Sequence, residues 1–156
     1  MMPRQRYESN VANSATMVID ASVWVAALLT NDVHHDASAT LLRTLVQRKQ
    51  QAAAPVLAWP EIAGAIARRT GDNELAKAAV AFLNRQAWLE YVPLDEPLAR
   101  YAIAIATEQR LRGADAVYVA LASQRDGMLI TLDREMLERA PTSVTARTPI
   151  DWLHNT

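Results

Sequence analysis

Short, almost wholly apolar runs alternate along the chain with longer stretches in which apolar residues return every three or four positions. The short runs have the length of strands buried on both faces, and the longer ones have the period of helices with one face turned inward. Read in order, they predict strands at 16–20, 52–54, 88–92, 128–132 and 143–146. Helices are predicted near 22–29, 35–49, 57–69, 73–86, 96–111 and 114–125, followed by a short one at 133–139 and a tail carrying Trp152. The breaks have local causes. Thr70-Gly71-Asp72 ends one helix and supplies Asp72 as the cap of the next, Asp95-Glu96-Pro97 is a cap with proline in the first turn, and Asp126-Gly127 turns the chain into a strand.

Strands interleaved with helices favour a parallel sheet covered on both faces. The expected fold is therefore α/β: a three-layer α/β/α sandwich with a five-stranded parallel sheet. No repeat or low-complexity linker divides it. Residues 1–16 are polar and aperiodic and read as a flexible leader, which leaves one domain over 17–154.

A length of 156 residues and an apolar content of 51 % suit one core. Charge interrupts every apolar stretch before membrane-spanning length, and the opening residues hold no signal-peptide core, so a soluble cytoplasmic protein with no membrane partner is expected. The absence of cysteine excludes disulfides, thiolate metal sites and cysteine nucleophiles. A net charge of −1 argues against coating nucleic acid non-specifically, which depends on neutralising many phosphates, but leaves room for a short local footprint. Lys49 and Lys77 are the only lysines; an arginine-favouring genome explains that bias more simply than bidentate phosphate contact.

Four carboxylates change this picture. Asp20 follows Met17-Val18-Ile19, Asp133 follows Leu129-Ile130-Thr131-Leu132, Asp115 interrupts the small-residue run from Gly113 to Ala122, and Glu61 enters a helix just after Pro60. In open parallel sheets ligands gather beyond the carboxyl ends of the strands, where strand order reverses. If the strands before Asp20 and Asp133 are neighbours there, their carboxylates face one crevice, and helices bearing Glu61 and Asp115 can deliver two more. Packed acids repel and raise one another's pKa unless a cation lies among them. Without thiolates the ion must be hard and oxygen-bound, which favours Mg²⁺ or Mn²⁺. Taken singly, Asp20 (or Ser22), Asp133 and Asp115 read more simply as helix caps, and Glu61 as an acid complementing a helix dipole.

The segments Val18-Ile19-Asp20-Ala21-Ser22, Pro60-Glu61-Ile62, Arg112-Gly113-Ala114-Asp115-Ala116-Val117-Tyr118 and Ile130-Thr131-Leu132-Asp133 together resemble the PIN-domain ribonucleases, and most closely the toxins of VapBC-type toxin–antitoxin pairs. The resemblance covers about residues 17–154. It implies a five-stranded parallel α/β/α domain in which Asp20, Glu61, Asp115 and Asp133 bind Mg²⁺ (or Mn²⁺) and Ser22 and Thr131 line the site. It also implies an endoribonuclease acting on an RNA substrate, an antitoxin partner whose basic segment enters the acidic site, and a homodimer. After Asp133 the chain has Arg134-Glu135-Met136 where relatives often carry a further acid and an aromatic residue.

Other readings stay open. An RNA-processing nuclease or a non-catalytic RNA- or protein-binding module shares the fold. An aspartate-nucleophile phosphatase also places an acid after its first strand, but expects a second aspartate where this chain has Ser22. His34-His35-Asp36 reads as a helix entry, because adjacent helical residues do not face one another. Arg68-Arg69 reads equally as a phosphate contact and as a solvated helix end. Trp24, Trp59, Trp88 and Trp152 read as packing residues.

Overall fold

The computed structural model describes residues 16–156. The leader expected over 1–16 therefore falls, apart from Thr16, outside the described residues. Five strands form one sheet: β1 (Met17–Ile19), β2 (Ala52–Pro55), β3 (Leu89–Val92), β4 (Met128–Ile130) and β5 (Thr145–Arg147). Their order is β3-β2-β1-β4-β5 and every pairing is parallel. The chain builds outward from β1 on one side and then crosses to the other, so order reverses between β1 and β4. Those two strands pair in register from Met17 opposite Met128 to Ile19 opposite Ile130.

The helices are α1 (Ala21–Leu28), α2 (His35–Gln47), α3 (Ala58–Thr70), α4 (Asn73–Asn84), α5 (Glu96–Gln109), α6 (Gly113–Gln124), α7 (Arg134–Arg139) and α8 (Pro149–His154). Two expected caps are made: Asp72 Oδ1 accepts the Leu75 N–H and Asp95 Oδ1 accepts the Leu98 N–H, both at 2.9 Å. α6 packs against β1, β2 and β4, and its residues from Ala116 to Ala122 are all buried. The alternation of small and large side chains in that helix serves close packing. Trp24 and Trp152 are buried and Trp88 stacks at a tilt on Trp24 with centroids 5.9 Å apart, so these indoles are packing residues as expected.

The sequence reading and the structure differ in three places. The strand expected at 128–132 stops at Ile130, because the Leu132 N–H turns to Ser22 Oγ and the Asp133 N–H to Thr131 Oγ1 instead of continuing a ladder. The last strand begins at Thr145 because a turn, closed by Val144 N–H to the Pro141 carbonyl at 2.8 Å, occupies the preceding residues. The tail is helical: Thr148 caps α8 by accepting the Asp151 N–H at 3.1 Å, and Pro149 opens its first turn. Gly127 is required by a close approach, since a Cβ there would lie 2.1 Å from the Thr16 carbonyl oxygen. Among the described residues no helix is long and apolar enough to cross a membrane.

Candidate functional site

The reversal between β1 and β4 opens the crevice that the strand ends predict. Asp20 is the residue after β1 and is buried, with its backbone N–H on the Ile130 carbonyl at 2.9 Å. It does not cap α1 through its side chain. Ser22 Oγ and Thr131 Oγ1, the latter at 2.9 Å, both donate to Asp20 Oδ2, so the two expected site-lining hydroxyls meet on one carboxylate oxygen. Asp133 is a cap: its Oδ1 accepts the Met136 N–H at 3.0 Å. That role uses one oxygen of the pair.

Glu61 lies in the first turn of α3, half-buried, and Tyr118 Oη of α6 donates to its Oε2 at 2.6 Å. Asp115 lies in the first turn of α6, but Arg112 holds the cap position and no side chain caps that helix. Asp115 Oδ2 is buried without a hydrogen-bond partner among the described residues. The cap reading therefore fails for Asp20 and Asp115 and holds for Asp133.

The four acids share one electrostatic neighbourhood. Burial, together with the Asp133 and Asp20 charges, pushes Asp115 up to about 6. Burial also raises Glu61 against the opposing Tyr118 bond, with the Asp20 and Asp115 charges adding to the rise. Burial raises Asp20 despite the bonds from Ser22 and Thr131, and Asp133 adds to it. Tyr118 is raised by burial and by the Asp20 and Glu61 charges, so it stays a proton donor. Among the described residues no three of these carboxylates close into a cage around one point. The donor set nevertheless fits a hard divalent ion: every donor is oxygen, the charges repel, and Asp115 offers a buried oxygen that nothing else uses.

A cleft of about 720 Å³ opens beside these groups, lined by Asp20 and Glu61, by Asp32 and His34, and by Arg68 and Arg69. Asp115 and Asp133 are not among its walls. Sequence reasoning missed Asp32, which takes Arg69 Nη1 on Oδ2 at 2.6 Å and the His34 N–H on Oδ1 at 2.8 Å. Burial alone would raise Asp32; those two partners outweigh it and hold it below its usual range. It also missed the Tyr118 bond, whose only signal is a hydroxyl within an otherwise apolar run. The histidines follow the bland reading, since His35 Nδ1 sits 3.0 Å from the Ala26 carbonyl while His34 is exposed. Glu135 pairs loosely with Arg139 at 3.6 Å and reaches Asp115 only as a further negative charge.

Comparison with known proteins agrees with the fold. A family model described as PIN domain matches residues 17–141. The chain belongs to the PIN-domain family. Solved structures share the fold of this PIN domain at low identity. VapBC2 from Rickettsia felis, solved bound to a DNA fragment from its promoter, has a TM-score of 0.66 at 14 % identity, covering 85 % of this chain and 98 % of its own. VapC20 of Mycobacterium tuberculosis, a toxin that cleaves the sarcin-ricin loop, has 0.67 at 18 %, with 83 % and 99 % covered. A toxin–antitoxin complex from Klebsiella pneumoniae has 0.60 at 16 %, with 86 % and 98 % covered. No curated protein matches the sequence.

Proposed function

We propose that this PIN domain is a divalent-metal-dependent endoribonuclease, the toxin of a toxin–antitoxin pair, which hydrolyses RNA phosphodiester bonds. The observation that carries the reading is the buried, unpartnered Asp115 Oδ2 among acids that raise one another's pKa. A protein gains nothing in stability from such an arrangement, whereas a cation removes the repulsion. Asp20, Asp115 and Asp133 are the candidate direct ligands, with Glu61 ligating or orienting water. Mg²⁺ keeps several waters and needs few protein ligands. When bound, such an ion acidifies water and neutralises charge on the phosphoryl oxygens.

The protein's own groups do the rest. Ser22 and Thr131 fix the Asp20 carboxylate by one oxygen, and the α7 cap fixes Asp133. Tyr118 ties Glu61 by Oε2 and leaves Oε1 to accept a proton from water or orient it. The toxin role and the antitoxin with a basic segment are supported by the fold shared with toxin–antitoxin proteins and by the acidity of the site. A homodimer, which the family resemblance implies, is the expected assembly. The deciding experiment is cleavage of single-stranded RNA with Mg²⁺ or Mn²⁺ against the same reaction in excess EDTA. Cleavage should need the ion, and undiminished cleavage in chelator would remove the metal from the mechanism.

A further inference from the structure

The cleft beside the acids holds two adjacent arginines whose surroundings differ. On α3, Glu61, Ala65 and Arg68 fall at helical spacing and all line the cleft, with Arg69 beside them. Arg69 is committed: Nη1 is 2.6 Å from Asp32 Oδ2, in an acid whose other oxygen is also occupied. Arg68 has no carboxylate partner among the described residues. Side chains on a helix lean toward its N-terminus, so a long one at Arg68 runs back over position 64 toward Glu61. Position 64 is glycine, and Arg68 Nη1 lies 3.1 Å from where a Cβ would stand.

A glycine inside a helix costs about 1 kcal/mol relative to alanine, and no turn requires one at Gly64, in the middle of α3. What its bare backbone provides is a seat for the Arg68 guanidinium in the cleft that holds Asp20 and Glu61. A cation there, without a carboxylate partner among the described residues and planar enough for bidentate contact, suits a phosphodiester oxygen pair. An acidic site that must accept a polyanion needs such a group to offset the repulsion its own carboxylates create.

We propose that Arg68, seated over Gly64, binds a backbone phosphate of the RNA chain beside the acids, while Arg69 is a structural partner of Asp32. The proposal rests on the ribonuclease reading. It also separates two residues that sequence alone left equivalent.

The test uses the full chain and a labelled single-stranded RNA, with binding followed by anisotropy in chelator and cleavage followed in Mg²⁺. Arg68→Gln should weaken RNA binding about tenfold, in keeping with the loss of one charged hydrogen-bonded contact. It should also make the slope of log Kd against log salt shallower by about 0.7, the value for one phosphate on a single strand. In cleavage, KM should rise while kcat changes little. Gly64→Ala should raise the thermal midpoint and yet weaken RNA binding, a combination that general damage to the fold cannot produce. Arg69→Gln should lower the midpoint and leave the salt slope as in the parent. A parent that binds and cleaves RNA while Arg68→Gln keeps the parent's Kd and slope overturns this proposal alone, as does a variant that loses kcat at unchanged KM. A parent that neither binds nor cleaves RNA overturns the ribonuclease reading and this proposal with it.

Discussion

Thr131 Oγ1 donates to Asp20 Oδ2 at 2.9 Å, and the same oxygen receives the Asp133 backbone N–H at 2.9 Å. One fully buried hydroxyl thus holds the acid after β1 and the acid after β4 in fixed relation. Replacing Thr131 with Val keeps the shape, removes a donor from Asp20 and orphans the Asp133 N–H. The expected cost is about 1–3 kcal/mol of stability, read by denaturant unfolding, together with loss of RNA cleavage. Thr131→Ser should recover most of both. A valine variant as stable and active as the parent would show that the hydroxyl positions nothing.

Asp115→Asn distinguishes an ion site from ordinary polar structure by the sign of its effect. The buried, unpartnered oxygen and the neighbouring acids make the charge a liability in the metal-free chain. The variant should therefore match or exceed the parent's metal-free thermal midpoint while losing Mg²⁺ binding by calorimetry and losing cleavage. A fall in midpoint of several degrees would mean that the carboxylate has a structural partner.

The pH dependence of metal-free stability should run opposite to that of a salt-bridged protein. Asp20, Glu61 and Asp115 all hold pKa values above their ordinary ones, Asp115 at about 6 against 3.8. The folded chain then binds protons more tightly than the unfolded chain. The penalty is fully present above about 6 and is relieved as pH falls through 6 toward the unfolded value. The thermal midpoint in chelator should accordingly rise by about a few degrees between pH 7.5 and pH 5. Saturating Mg²⁺ should raise it at pH 7.5 and flatten the profile. A midpoint that falls steadily with acid over this range would contradict the raised values.

Tyr118→Phe removes the donor at 2.6 Å from Glu61 Oε2 without changing the apolar packing of α6. Loss of a group that orients a site residue typically lowers activity by about 10- to 100-fold. The effect should appear in kcat, with unfolding shifted by only about 1 kcal/mol. Unchanged kcat would show that Glu61 needs no orientation from Tyr118.

The acids were legible because strand ends and helix starts announce themselves locally. Asp20 follows three buried apolar residues and Asp115 stands directly before a run buried from Ala116 to Ala122. What escaped was whatever depends on contact between distant segments. Tyr118 meets Glu61 across 57 residues and Asp32 meets Arg69 across 37, and no periodicity encodes either pair. The eighth helix was missed for another reason. Its capping signal, Thr148 with Pro149 and Asp151, is local and as short as the α7 signal that Asp133 opens, but on the sequence it reads as part of the tail around Trp152.

Because β1 pairs with β4, the Asp20 carboxylate receives its Thr131 bond from a residue 111 positions later in the chain. During synthesis this interval takes on the order of ten seconds. Throughout it Asp20 has been made but the strand that completes its setting has not emerged. A chain released before β4 lacks Thr131 and Asp133, so its Asp20 has neither the Thr131 bond nor the acid that follows β4. On the ribonuclease reading proposed above, catalytic competence then arrives only after β4 and the residues that follow it have been made.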